Sequence, residues 1–284
     1  GKDGKPAAYS PDNVPYHPPA HLKMAIDGPK TGDFAMLAGY PGITYRHRTA
    51  AEFAGQIDAV LPRRVAVFQQ MIDTIEAATA KDAQARTRYA AQLQSLKNNR
   101  KRAAGELEGL LRSNAKTQRA TDEAAMLKAT DAALQPDIQA LLGSLSQGAS
   151  MGERDFVLEQ AAAQSQLLRS ALLLERLRIE SAKPDAERES GYQQRDQALI
   201  EGTLKQVQRR YAPAVEKALL TDLLTRYQQL PDAQRVPEFD AAFGRTPAAL
   251  AKALDALYTG TRLGDEAERL GRFAAAKEGK ALAH

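Results

Sequence analysis

Cysteine and tryptophan are both absent from the 284 residues. Without cysteine there is no disulfide framework, no thiolate zinc site and no cysteine nucleophile. The redox compartment stays open, because a chain without thiols suits the cytosol and the periplasm alike. Charge of one sign is also scarce in surplus: 39 Lys+Arg stand against 35 Asp+Glu. That balance supplies little of the broad basic surface a nucleic-acid partner requires. No run approaches the ~20 consecutive apolar residues that cross a bilayer, so a transmembrane helix is excluded and no membrane partner is expected. What remains is ordinary, with 43% hydrophobic and 26% charged residues, a balance that suits a folding chain. The chain opens Gly-Lys-Asp-Gly, with neither an initiator Met nor a signal-like apolar region, and so reads as a piece of a longer polypeptide.

These averages cover two unlike segments. Half of the 14 prolines lie in the first 42 residues, and His17, His21 and His47 precede residue 48. From Thr49 onward Ala, Leu, Gln, Arg and Glu dominate, all good helix formers, and proline becomes isolated punctuation. The break predicts a short non-helical segment over 1–48 and one large helical domain over 49–284.

In the first segment, Asp33-Phe34-Ala35-Met36-Leu37-Ala38-Gly39 is a short apolar run between turn signals, the pattern of a buried strand. His21 to Ile26 alternates apolar and polar positions and suggests a neighbouring strand. Two or three strands make no stable sheet alone, so 1–48 is expected to be the tail of a β domain. In the second segment Phe53, Ile57, Val60 and Leu61 share one helical face, and Phe68, Met71, Ile72 and Ile75 continue it beyond Pro62. Tyr89, Leu93 and Leu96 lead into Leu107, Leu110 and Leu111. Further helices are expected around 115–142, 153–181, 185–210, 213–229, 246–258 and 265–283. Ala212-Pro213 and Thr246-Pro247 are helix starts. No fixed-period repeat occurs, so the fold class is mainly α, an irregular multi-helix domain after a short β segment.

Candidate chemistry is sparse. His17 and His21 are four apart, but the surrounding prolines deny the helix that would align them, and no HExxH pattern or acidic cluster indicates a metal. No metal site and no cofactor are expected. Gly148-Ala149-Ser150-Met151-Gly152 has the letters of Gly-x-Ser-x-Gly, but it lies between helical runs and reads as a flexible connection, not as a turn that holds a nucleophile. Arg46-His47-Arg48 reads as a charged domain boundary. The basic run Lys97-Asn98-Asn99-Arg100-Lys101-Arg102 is followed by Glu106 and Glu108, which marks a solvated helical face. Its odd feature is the Asn98-Asn99 pair, since asparagine is a mediocre helix former. A carboxamide oxygen aimed into a cleft accepts hydrogen bonds from an ammonium group, while the plainer reading is a surface asparagine.

An ordered set of short elements then carries a resemblance. Gly4-Lys5-Pro6-Ala7-Ala8-Tyr9-Ser10, Asp12-Asn13-Val14-Pro15-Tyr16, Gly32-Asp33-Phe34, Gly39-Tyr40-Pro41-Gly42 and Arg46-His47-Arg48-Thr49 resemble the bacterial serine dipeptidyl peptidases of the dipeptidyl-aminopeptidase BII kind, which include dipeptidyl peptidases seven and eleven. The helical part resembles them more faintly, through Ser95 to Asn98, Lys101 to Gly105, and Tyr192 to Pro213. The resemblance implies a chymotrypsin-like double β-barrel with a helical domain inserted between its barrels. Residues 1–48 would then be the last strands of the first barrel, and 49–284 the helical cap over the cleft. It also implies a peptide substrate held by its free N-terminus, release of dipeptides one at a time, the rest of the peptidase domain as an intramolecular partner, a homodimer, and a periplasmic or secreted location. The match of Ser95, Asn98, Lys101 and Gly105 puts the asparagine that holds the substrate's α-amino group at Asn98. Asn99 and Arg100 stand where some relatives carry aromatic residues, which leaves a one-position slip to Asn99 open. No catalytic residue is expected in this chain: the triad histidine and aspartate would precede Gly1, and the serine would follow His284. The competing reading, from a different class, is a stand-alone helical interaction or scaffold module whose Lys97 to Arg102 run meets an acidic partner or nucleic acid.

Overall fold

A computed structural model describes residues 1–5, 7, 10–39, 42, 45 and 47–282. Tyr40 and Pro41 of the expected turn, Arg46 of the charged boundary, and His284 lie outside the described residues. The chain divides into two units, Gly1–Arg46 and His47–His284.

Among its described residues the first unit holds turns and extended backbone but no strand, so the strands expected at 21–26 and 33–39 are not formed. A strand exists only through its ladder of hydrogen bonds to a neighbour, and none is present here for Leu22 to Ile26 or Phe34 to Leu37. Their apolar side chains face solvent: Leu22 is 97% exposed, Ile26 96% and Phe34 90%.

The second unit is helical throughout its regular structure. Thr49 opens α1 (Ala50–Gly55) with a capping box, its hydroxyl accepting from the Glu52 amide while the Glu52 carboxylate accepts from the Thr49 amide. A π turn, Gln56–Val60, joins α1 to α2 (Leu61–Thr79). Pro62 lies in the first turn of α2, where its missing N–H is tolerated, and so continues the helical run. α3 (Ala83–Arg112) starts at Asp82, whose carboxylate accepts from the Ala85 amide, and its 30 residues extend about 45 Å. α4 (Ala115–Ala129) and α5 (Gln135–Ser150) follow, joined by a 3₁₀ turn over Ala132–Leu134. The expected flexible connection at 148–152 is instead helical up to Ser150, with α6 (Gly152–Gln164) beginning two residues later.

The single helix expected over 153–181 is two, because Ser165 interrupts it and caps α7 (Gln166–Ser181). Two 3₁₀ turns around Gly191, which has φ 96°, replace the first half of the helix expected over 185–210. α8 (Gln197–Arg210) and α9 (Pro213–Gln228) follow, and then α10 (Pro237–Phe243), a short helix the sequence pattern misses. α11 (Pro247–Gly260) has Thr246 as its N-cap and Pro247 in its first turn, as the residues indicate; α12 (Glu266–Lys277) is capped by Asp265.

Two apolar cores hold these helices. The larger joins α2, α3, α6, α9 and α11 through Val67, Met71, Ile75, Tyr89, Val157, Leu219, Leu223 and Leu254. The smaller joins α7, α8 and α12 through Leu174, Leu177, Leu204 and Phe273. α4 and α5 bury no residue and lie against α1. Each buried Leu or Ile in these cores contributes on the order of 2 kcal/mol by leaving water.

Candidate functional site

α3 is the longest helix and carries both asparagines. Asn98 is exposed, and among the described residues its carboxamide makes no hydrogen bond. With Lys101 and Gly105 it sits at three- and four-residue steps, so the three share one outward stripe. Asn99 is half-buried one position around the helix. Its Nδ2 donates to the Ser95 carbonyl at 2.9 Å, bending the side chain back along its own helix.

Asn99 belongs to a second stripe of α3 with Arg88, Gln92, Ser95 and Arg102, which forms one wall of a cleft of about 490 Å³. The structure thus brings Asn99, not Asn98, to this cleft. α2 adds Arg64 and Phe68, α6 adds Phe156, Glu159, Gln160 and Gln164, and Arg169 and Arg210 come from α7 and α8. A chain of carboxamides ties two walls together: Gln92 Nε2 donates to Gln164 Oε1 at 2.8 Å, and Gln164 Nε2 donates to Gln160 Oε1 at 3.2 Å. The basic run of the sequence is therefore split by the helical period. Lys97 pairs with Glu76 of α2 at 2.6 Å, Lys101 faces solvent, and Arg102 turns to the cleft.

Gln166, which also lines this cleft, bonds through its amide to a group that sequence reasoning missed. Glu216 of α9 is fully buried. Its carboxylate accepts from the Ser165 hydroxyl at 2.8 Å, the Gln166 amide at 2.5 Å, the Leu167 amide at 3.3 Å and the Tyr258 hydroxyl at 3.0 Å. Two of these donors are first-turn amides of α7, which have no partner within their own helix, and the positive end of the helix faces the carboxylate. Burial raises the Glu216 pKa above its ordinary value, and the four hydrogen bonds only partly counter this. Burial, followed by the nearby Glu216 charge, pushes the Tyr211 hydroxyl up to about 12. Burial likewise raises Tyr258 and Tyr89. This is a structural pin joining α6–α7 to α9 and α11; no segment near Glu216 in sequence announces it.

The remaining candidates stay apart. His17, His21 and His47 are exposed, each on non-helical backbone. Among the described residues no group of three or more His, Asp or Glu side chains could hold a metal, and no helix is long and apolar enough to cross a membrane.

The chain is 36% identical over 275 residues to an Asp/Glu-specific dipeptidyl-peptidase of Shewanella putrefaciens, an alignment covering 95% of this chain and 37% of that protein. A dipeptidyl-peptidase 7 of Capnocytophaga gingivalis is 35% identical over 109 residues, 38% of this chain and 15% of its own. An Asp/Glu-specific dipeptidyl-peptidase of Porphyromonas endodontalis is 38% identical over 104 residues, 37% of this chain and 14% of its own. This chain therefore spans little more than a third of the length of the Shewanella relative. The Peptidase S46 family model matches residues 1–282, both units together. On that match the chain belongs to the Peptidase S46 family.

Proposed function

We propose that this chain is the helical cap, with the preceding strands of a first β-barrel, of a serine-type dipeptidyl aminopeptidase that releases dipeptides from the free N-terminus of peptides. The observation that carries the reading is the state of Asn98. It stands on the outward stripe of α3 with its carboxamide oxygen uncommitted, ready to accept a hydrogen bond from an α-ammonium group. An exopeptidase that removes two residues at a time must measure from the chain end, and a fixed acceptor for the ammonium sets that distance. A mispositioned substrate would leave the ammonium unpaired, at a cost of roughly 1–3 kcal/mol or more.

The first unit supports the same reading. Leu22, Met24, Ile26, Phe34, Met36 and Leu37 expose their side chains, an apolar surface that water disfavours. Strand pairing with the rest of a barrel would cover it. The reading carries with it a triad outside this chain, a periplasmic or secreted location and a homodimeric state. Fractionation of the producing cell and light scattering of the purified protein test the last two.

The proposal is tested in the complete peptidase by replacing Asn98 with Ala. A charge-assisted hydrogen bond is worth about 1.5–3 kcal/mol, so KM for unblocked dipeptidyl substrates should rise roughly tenfold to a hundredfold. kcat should change much less. Unchanged kinetics in Asn98→Ala, with the same rise appearing in Asn99→Ala, would move the role one position along α3. Unchanged kinetics in both would end the assignment.

A further inference from the structure

The cleft walled by Arg88, Gln92, Ser95, Asn99 and Arg102 is distinct from the Asn98 stripe, and its charge is one-sided. Five guanidiniums line it, from Arg64, Arg88, Arg102, Arg169 and Arg210, against the single carboxylate of Glu159. None of the five forms an ion pair among the described residues, although their neighbours do. Arg63 pairs with Glu153 at 3.2 Å, and Arg226 pairs with the same carboxylate at 2.7 Å. Arg88 is held in place by donating from Nη1 to the Tyr211 carbonyl at 2.9 Å. Arg64 lies over the Phe156 ring, and its Nε is buried with no hydrogen-bond partner. Like charges gathered without counter-charge repel one another, and a buried donor left unpaired is costly. The repulsion is relieved when an anion enters.

We propose that this cleft docks an acidic peptide segment, its side-chain carboxylates received by the arginine forks. Guanidinium and carboxylate match as planar, two-point partners. The ordered carboxamides Gln92 and Gln164, with Asn99, supply neutral donors and acceptors of the kind a peptide backbone needs. A volume of about 490 Å³ lies within the roughly 300–1,000 Å³ of ligand sites, enough for a few residues. Nucleic acid fits less well. Single strands need exposed rings on which bases stack; the cleft's Phe156 is buried beneath Arg63 and Arg64, and its Phe68 is half-buried and packed edge-on against Phe156.

The test is fluorescence anisotropy of a labelled hexaglutamate peptide titrated with the full chain at low salt. Saturable binding is expected, lost at roughly 0.5 M salt, with no binding of hexaglutamine. Arg102 and Arg169 are both exposed, so the double variant Arg102→Glu/Arg169→Glu should keep its helical circular dichroism. It should weaken the peptide by about tenfold or more. Should the double reversal lose helicity, Arg102→Gln/Arg169→Gln takes its place and is expected to weaken binding by about threefold or more. Lys128→Glu on exposed α4, which changes the charge by as much as the glutamine double variant and half as much as the glutamate one, should stay within about twofold. Unchanged affinity in a folded double variant would overturn the proposal. So would equal binding of hexaglutamine, or tighter binding of a single-stranded hexanucleotide.

Discussion

Replacing Glu216 by alanine removes one carboxylate that four donors share. The Gln166 and Leu167 amides lose their acceptor and have no partner within α7, and the Tyr258 hydroxyl is left beside an apolar space. The Ser165 hydroxyl also loses its acceptor, although its oxygen still accepts from the Leu168 amide. Each orphaned buried donor costs about 1–3 kcal/mol, and the removed side chain leaves a void. Relief from burying a carboxylate that has no cation against it offsets part of this. A net loss of about 3 kcal/mol is expected, which for a unit of this size lowers Tm by on the order of 10 °C. Glu216→Gln keeps one accepting oxygen and should lose only about 1 kcal/mol. The assay is urea unfolding followed by far-UV circular dichroism at several pH values. Because burial holds the folded pKa above the ordinary 4.5, the carboxyl's contribution is full below that value and declines as pH rises through the folded pKa. Glu216→Gln should flatten that decline. An alanine variant within about 0.5 kcal/mol of the parent, or a glutamine variant less stable than the alanine one, would refute the pin.

Gly244 ends α10 at φ 71° and ψ 177°, a conformation essentially reserved for glycine, and a Cβ there would run into the Cβ of Ala249. Gly244→Ala should therefore lower stability by about 2 kcal/mol or more, read as a fall in the urea midpoint. Asp240 accepts from Arg235 at both oxygens, at 2.9 Å and 2.6 Å, and this partner holds its pKa below the ordinary 3.8. Its contribution is present above that value and is lost as pH falls through the lower folded pKa. Asp240→Asn should weaken the fold at neutral pH and shrink the acid-side loss, measured by thermal unfolding between neutral and acid pH.

Helix existence was readable because the helix formers and apolar spacings after Thr49 agree. The caps at Thr246 and Pro213 were readable because their chemistry is local. The breaks at Ser165 and before Gln197 were not. Both sides of Ser165 are strong helix formers, and the interruption depends on Glu216, far away in sequence. Around Gly191 the chain turns because Asp196 accepts from the Gly191 and Gln193 amides, an arrangement that residue propensities do not disclose. Pro62 looked like punctuation and proved to be a first-turn residue. The strands expected before residue 40 need partners that the described residues do not supply, so alternation alone could not produce them. For the site, the 3.6-residue period separates Asn98 from Asn99, and a run of basic letters could not show this. The arginine cleft was invisible in sequence because its members, from Arg64 to Arg210, meet only when α2, α3, α7 and α8 pack.

The central claim is that this chain caps a peptidase that reads a free N-terminus. It is tested most directly by comparing hydrolysis of one dipeptidyl reporter substrate in unblocked and N-acetylated form by the complete enzyme. The account predicts release of the reporter from the unblocked substrate and a loss of kcat/KM of about a hundredfold or more on acetylation, which removes the ammonium proposed to bind at Asn98. Equal cleavage of the two forms would contradict it.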